Sequence, residues 1–210
     1  LDVDSVAGNL MPGGTLGAMN GYEARPGQID MLKAVVRTFN SREHLMIEAG
    51  TGVGKSLAYL VPSINWAVLN DTPVVVSTAP RNLQSQLISS DIPRAMKTVQ
   101  DEVRVALLKG RGNYLCLRSL GDLMRDGYYA MTKEEREEFG SVVDWLNDPG
   151  CDGDLDSVDV PLLRSRLVCS GEDCGGRRCP YSSKCFIRKA RERALRAHLI
   201  VANHALVLAE

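Results

Sequence analysis

Two groups of residues in this chain have types and spacings that can do chemistry. The first, Ala49-Gly50-Thr51-Gly52-Val53-Gly54-Lys55-Ser56, fits the pattern of a phosphate-binding loop, with Ala49 where that pattern has its first glycine. Consecutive backbone N–H groups must turn inward around phosphate oxygens, and a Cβ blocks several of those turns, so Gly50, Gly52 and Gly54 suit the cradle. The backbones of Thr51 and Val53 complete it. Lys55 reaches the β- and γ-phosphates of a nucleotide as a point charge, and the Ser56 hydroxyl is placed to ligate Mg²⁺; these two are the candidate catalytic residues. The helix expected after the loop aims its N-terminus at the same anion. The plain alternative is a glycine-rich turn with a surface lysine. Upstream stand Tyr22 and Arg25-Pro26-Gly27-Gln28. A Gln amide matches adenine N7 and N6, and a Tyr ring can stack on a base, although Gln28 taken alone better suits an ordinary helix start.

The second group is the six cysteines: Cys116, Cys151, Cys169, Cys174, Cys179 and Cys185. An even count can mean disulfides, a reading that belongs to small secreted domains. In a cytosolic chain the cluster points to a metal. The Cys174, Cys179, Cys185 spacing is wider than the two-residue knuckle usual for structural zinc, whereas iron–sulfur clusters accept more varied spacings. Spacing alone leaves cluster and zinc both open.

The elements that must position these groups follow from periodicity. Residues 1–20 are glycine-rich without sustained periodicity and read as a lead-in loop. Ile29, Leu32, Val35 and Val36 give a helix over Gly27–Phe39, and Leu45–Ala49 is a short apolar run taken as the strand before the loop. Leu57, Leu60, Val61, Ile64 and Val68 share one helical face, which Pro62 should kink. Val74–Val76 reads as a buried strand, Leu83–Ile88 as helix, Val103–Leu108 and Leu199–Ala202 as further strands. Strand alternating with helix implies a parallel sheet. Between Arg111 and Arg196 the rhythm breaks into charged helices, an acidic stretch (Asp144 to Asp159) and the cysteines, as though a cysteine-rich module were inserted into an α/β domain.

Composition limits the partners. The 210 residues carry 25 Lys+Arg and 26 Asp+Glu, a net charge of -1, so any polyanion must be met by a local basic patch. A hydrophobic content of 44% excludes a disordered chain. No apolar run approaches the roughly 18 residues of a membrane span, and no secretory signal is visible, so no membrane partner and a cytoplasmic location are expected. The start on Leu1 and the stop at Glu210 within an apolar run lead to the expectation of a fragment.

Five ordered segments make the chain resemble DinG-type DNA helicases, bacterial relatives of XPD in helicase superfamily two. They are Tyr22 to Gln28; Glu48 to Tyr59; Ser77-Thr78-Ala79-Pro80-Arg81-Asn82-Leu83-Gln84-Ser85-Gln86-Leu87; Lys109-Gly110-Arg111-Gly112-Asn113-Tyr114-Leu115-Cys116; and Cys174 through Arg191 to Asn203-His204. The resemblance implies an α/β fold: a RecA-like P-loop NTPase domain, a parallel sheet with flanking helices, interrupted by an iron–sulfur insertion. The corresponding divisions are a lead-in at 1–20, the first part of the helicase domain at 21–109, the insertion at 110–197 and the return at 198–210.

The resemblance further implies that Arg25 and Gln28 read the adenine of ATP, and that Thr78, Arg81 and Gln84 touch single-stranded DNA. By itself that segment also suits a strand–turn–helix link capped by Thr78. It implies a 4Fe-4S cluster on Cys116, Cys174, Cys179 and Cys185; Cys151 and Cys169 are left out, with Cys169 open as a substitute ligand. After Cys185, Ile187, Ala190, Ala194 and Ala197 form one helical stripe and Lys189, Arg193 and Arg196 another, which can face a phosphate chain or simply water. Trp66 and Trp145 read as packing residues, and His204 has no assigned role. The activity implied is a monomeric, ATP-dependent 5′-to-3′ helicase acting on single-stranded or forked DNA in repair or replication. No strand-end Asp-Glu-Ala-His-type segment and no second-domain arginines occur before Glu210, so these residues alone are expected to bind ATP weakly and not to unwind DNA. The competing readings are a non-catalytic nucleic-acid-binding or redox-responsive P-loop module, and a P-loop protein with structural zinc.

Overall fold

The structure is a computed structural model that describes residues 1–79 and 81–209, and of Arg81 the backbone alone. In chain order its regular elements are α1 (Val3–Gly8), α2 (Pro26–Ser41), α3 (Lys55–Asn70), β1 (Val74–Thr78), α4 (Arg81–Gln86), α5 (Ile92–Met96), β2 (Val105–Leu108), α6 (Leu117–Asp122), α7 (Lys133–Leu146), α8 (Arg164–Leu167), α9 (Phe186–Leu195), β3 (Leu199–Asn203) and α10 (His204–Val207). Two compact units divide the chain: Leu1–Leu107 with the residues from Arg196 onward, and Leu108–Leu195.

The first unit is α/β. Its three strands lie in the order β1-β3-β2. β1 and β3 are parallel, from Val74 beside Leu199 to Thr78 beside Asn203, so most of the chain separates two neighbouring strands. Pro26 opens α2 at a position where its missing N–H costs nothing. Gln28, Leu32 and Val36 then recur every fourth residue and are buried along one stripe. α3 packs against α2 through Leu57, Leu60, Val61 and Ile64. Pro62 sits inside α3 without ending it. Each fully buried Leu or Ile contributes about 1.5–3 kcal/mol, so the α2–α3 stripe is a main source of this unit's stability.

Four expectations are corrected here. Residues 1–20 are not all loop: Val3–Gly8 form α1, which Asp2 caps by accepting from Ser5 N–H at 2.7 Å, and Val6, Ala7, Leu10 and Leu16 are buried in the core. One of the glycines that suggested a loop serves close packing, since a Cβ on Gly14 would lie 1.9 Å from the Gly8 carbonyl oxygen. Residues 45–49 form no strand; Leu45, Met46 and Ile47 are exposed, because no β1, β2 or β3 ladder reaches them. β1 is only half buried, with Val75 50% exposed. The helix expected at Leu83–Ile88 runs longer, as α4 passes through a π-type turn at Leu87–Asp91 into α5.

The second unit packs Leu115, Leu120, Phe139, Val142, Leu155, Leu163, Leu167 and Phe186 into its own core. α7 begins with a reciprocal cap: Thr132 Oγ1 accepts from Glu135 N–H at 3.2 Å, and the Glu135 carboxylate accepts from Thr132 N–H at 2.9 Å. α9 buries Phe186, Ala190 and Ala194 and ends at Leu195, so Arg196 and Ala197 are not on the helical stripes expected for them. Among the described residues no helix is long and apolar enough to cross a membrane.

Candidate functional site

The loop at 49–54 runs directly into the sixteen-residue helix α3. Gly52 (φ 82°) and Gly54 (φ 86°) take left-handed backbone that other L-residues resist. Gly54 is the N-cap and offers no side chain to the first N–H groups of α3, which leaves them available to an anion. Lys55 Nζ folds back over the loop and donates to the Ala49 and Gly50 carbonyls, each at 2.7 Å. Ser56, in the first turn of α3, is half-buried.

The N-terminus of α2 is tied to the same loop. Gln28 is 3% exposed; its Nε2 donates to the Gly54 carbonyl at 2.9 Å and its Oε1 accepts from Tyr22 Oη at 2.8 Å. A Cβ on Gly54 would come 2.3 Å from Gln28 Nε2. The Arg25 guanidinium donates to the Gly52 carbonyl. The structure thus brings Arg25, Gln28, Gly52, Gly54 and Lys55 together.

The ends of β1 and β3 lie side by side. Ser77 Oγ and His204 Nδ1 are 2.6 Å apart, which gives His204 the partner that its sequence position did not suggest. Asn203 caps α10, accepting from Leu206 N–H at 2.7 Å. Thr78 and Gln84 face inward, and among the described residues Gln84 Nε2 is buried without a hydrogen-bond partner. The Arg81 side chain lies outside the described residues. Among the described residues of this segment Ser77, Asn82, Ser85 and Gln86 are the exposed polar ones. Helical periodicity from Gln84 could have separated these faces, had the helix start been fixed.

In the second unit all six thiols are free. Cys116, Cys169, Cys174, Cys179 and Cys185 line one cavity of about 360 Å³, while Cys151 packs against the apolar core. Cys116 is fixed by its N–H, which donates to the Leu167 carbonyl at 2.8 Å, and by its carbonyl, which accepts from Leu120 N–H at the start of α6. Cys179 and Cys185 each close a 3-10 turn, at Gly176–Arg178 and Ser182–Lys184, and the Cys185 carbonyl accepts from Lys189 N–H at the start of α9. Arg111, Arg118, Arg177, Arg188 and Arg191 line the same cavity, a setting that favours thiolates. A hydrogen bond from the Gly176 backbone lowers the Cys174 pKa, helped by Arg111; burial raises that of Cys169, and Cys116 and Cys174 beside it add to the effect. Among the described residues no three His, Cys, Asp or Glu side chains are grouped so as to hold a single metal ion. Lys189 and Arg193 are exposed on α9, with Lys189 Nζ 5.9 Å from the Phe186 ring centroid.

Part of the acidic stretch is neutralised from afar. Lys109 Nζ binds the Asp154 carboxylate and lies 2.8 Å from Asp156 Oδ2; Arg164 Nη2 is 2.7 Å from Asp156 Oδ1. Burial opposes the charge on Lys109, but its hydrogen bonds to both acids more than offset this and raise its pKa.

About nine tenths of the sequence is similar to that of named helicases. An ATP-dependent DNA helicase YoaA of Haemophilus influenzae is 35% identical over 196 residues, 91% of this chain and 30% of that protein. An ATP-dependent helicase DinG of Mycobacterium tuberculosis is 37% identical over 207 residues, 89% of this chain and 31% of that protein. The chain belongs to the DinG-type family. A Bacillus subtilis relative of this DinG-type chain, named 3′-5′ exonuclease DinG, is 32% identical over 199 residues, 91% of this chain and 21% of its own length. The DinG-type chain therefore spans less than a third of each of these relatives. No protein-family model matches it.

Proposed function

We infer that this chain is the nucleotide-loading and DNA-contacting part of an ATP-dependent 5′-to-3′ DNA helicase. In this reading the first unit is a RecA-like domain and the second an iron–sulfur insertion. The observation that carries the reading is the loop at 49–54, with left-handed glycines, the uncapped start of α3 and Lys55 converging where a polyphosphate would sit. Lys55 would exchange its carbonyl partners for β- and γ-phosphate oxygens, and Ser56 would hold Mg²⁺. Arg25 and Gln28, wired to the loop, would read the base. In the first unit Ser77, Asn82, Ser85 and Gln86, with the buried Thr78 and Gln84 behind them, would contact single-stranded DNA; in the second, Lys189 and Arg193 on α9 would meet DNA phosphates.

The five thiols around one arginine-lined cavity fit a cluster ligated by four thiolates. Cys116, Cys174, Cys179 and Cys185 would hold it. When bound, it would supply cross-links between segments that are far apart in sequence. The residues that complete hydrolysis would be supplied elsewhere in the longer protein, which would act as a cytoplasmic monomer.

Fluorescent ATP titration of the 210-residue chain tests the reading. Binding is expected, and Lys55→Ala should weaken it about a hundredfold, the equivalent of about 3 kcal/mol for charge-assisted contacts. A folded parent chain without ATP affinity would overturn it and favour the non-catalytic P-loop module.

A further inference from the structure

The cluster-site reading uses four cysteines, yet five line the cavity. The fifth, Cys169, is held there by its surroundings. The Cys116 N–H donates to the Leu167 carbonyl at 2.8 Å and Ser119 Oγ donates to the Val168 carbonyl at 3.1 Å, so the segment leading to Cys169 is fastened alongside Cys116. Beyond it, Asp173 N–H donates to Ser170 Oγ at 3.1 Å, a turn that brings Cys174 back toward Cys169. Arg118 Nη2 then clamps the arrangement, 3.8 Å from Cys169 Sγ and hydrogen-bonded to the Asp173 carbonyl. Cys179 and Cys185 are set by their own turns.

We propose that Cys169 is a reserve ligand of the iron–sulfur site, placed between Cys116 and Cys174 and able to take over from either of them but not from Cys179 or Cys185. The inference rests on the cluster reading above. The exchange is balanced: one iron–sulfur bond to the departing cysteine breaks as that thiolate takes a proton, and the Cys169 thiol gives up a proton as its sulfur binds the same iron. Donor type and net charge stay the same. Cys169 lines the same cavity as Cys116 and Cys174, and the backbone ties on either side of it place the incoming sulfur on the segment that joins the two it would replace.

The test is iron and acid-labile sulfide content, with visible absorption, of anaerobically purified chains whose fold is checked by circular dichroism. The parent and Cys169→Ser are expected to hold about four irons per chain. Cys116→Ser and Cys174→Ser should keep most of that iron, whereas Cys179→Ser and Cys185→Ser lose it. Adding Cys169→Ser to either tolerated variant should reduce its iron about tenfold. A second measurement avoids the risk that a ligand variant fails to fold: folded Cys169→Ser, its four ligands intact, should release iron to a chelator faster than the parent. If Cys116→Ser and Cys174→Ser lose iron as completely as Cys179→Ser while the parent is loaded, the reserve role is wrong and the cluster stands. Loss of iron in Cys169→Ser alone would make it a primary ligand and also overturn the proposal. A parent that takes up zinc or no metal overturns the cluster reading itself.

Discussion

Replacing Lys109 with Met removes one charge from a poorly solvated site. The side chains of Lys109, Asp154 and Asp156 are 13%, 12% and 28% exposed, and Lys109 Nζ contacts both carboxylates. Truncating one partner of a buried ion pair leaves the other charge uncompensated, at a cost of about 3–5 kcal/mol. Two features pull the figure to the lower end: Asp156 keeps Arg164 at 2.7 Å, and more than a quarter of its side chain meets water. The expected loss is therefore about 3 kcal/mol, about a hundredfold in the unfolding equilibrium of residues 108–195. Met retains the apolar stem, so lost packing is a minor part. The double variant Lys109→Met/Asp154→Asn removes both charges and should recover about 1–2 kcal/mol. Urea unfolding can be followed through Trp145, which packs on this unit's core, in a Trp66→Phe background that keeps an aromatic ring against Phe39. A Lys109→Met midpoint equal to the parent's, or a double variant no more stable than the single, would refute the reasoning.

The same network sets a pH dependence. Burial works against the charged form of Asp156, but Lys109 and Arg164 more than offset it, so its pKa lies below the ordinary 3.8 and its contribution is lost as pH falls through that lowered value. Lys109 lies above its ordinary 10.5, so its contribution is complete below 10.5 and lost as pH rises through the raised value. The stability gap between parent and Lys109→Met should accordingly be widest at neutral pH and narrow at both extremes in urea titrations; a gap independent of pH would count against the network. A different prediction concerns Gly153, whose φ is +80° and where a Cβ would lie 2.1 Å from Phe186 Cγ. Gly153→Ala should cost about 2–4 kcal/mol from overpacking and backbone strain together, and an unchanged urea midpoint would contradict the packing described.

What could be read from the sequence was what depends on near neighbours. The periodicity of Leu57, Leu60, Val61 and Ile64 specifies α3, and the glycines before Lys55 specify the loop, because both signals lie within a few residues. Where partners come from afar, the text is silent. Asp154 and Asp156 lie in an acidic stretch, and their shared counter-charge, Lys109, comes from more than forty residues away. Cys169 fell outside the family's spacing, and it joins the other four at one cavity through contacts between distant segments, among them the hydrogen bond from Cys116 N–H to the Leu167 carbonyl. Leu10 and Leu16 lie in a stretch too short and glycine-rich to show a period, and are buried all the same. The apolar run at 45–47 misleads in the opposite sense, since an apolar run becomes a strand only where another strand pairs with it.

Gln28 shows how one side chain can serve both the loop and a base. Its amide has two donor hydrogens and two acceptor lone pairs. Gly54 takes one donor and Tyr22 supplies one hydrogen to the oxygen, which leaves one of each, the complement that adenine N7 and N6 require. Holding the loop and reading a base therefore do not compete for hydrogen-bonding capacity; they compete for access, since Gln28 is 3% exposed. The groups that could open that access are Tyr22, half-buried above the amide, and Arg25, whose guanidinium reaches across to Gly52. A base that stacked on Tyr22 or drew Arg25 away would uncover the free edge of Gln28 and at the same time loosen Gly52, so base recognition and the shape of the phosphate loop are linked through two residues of a single turn of chain.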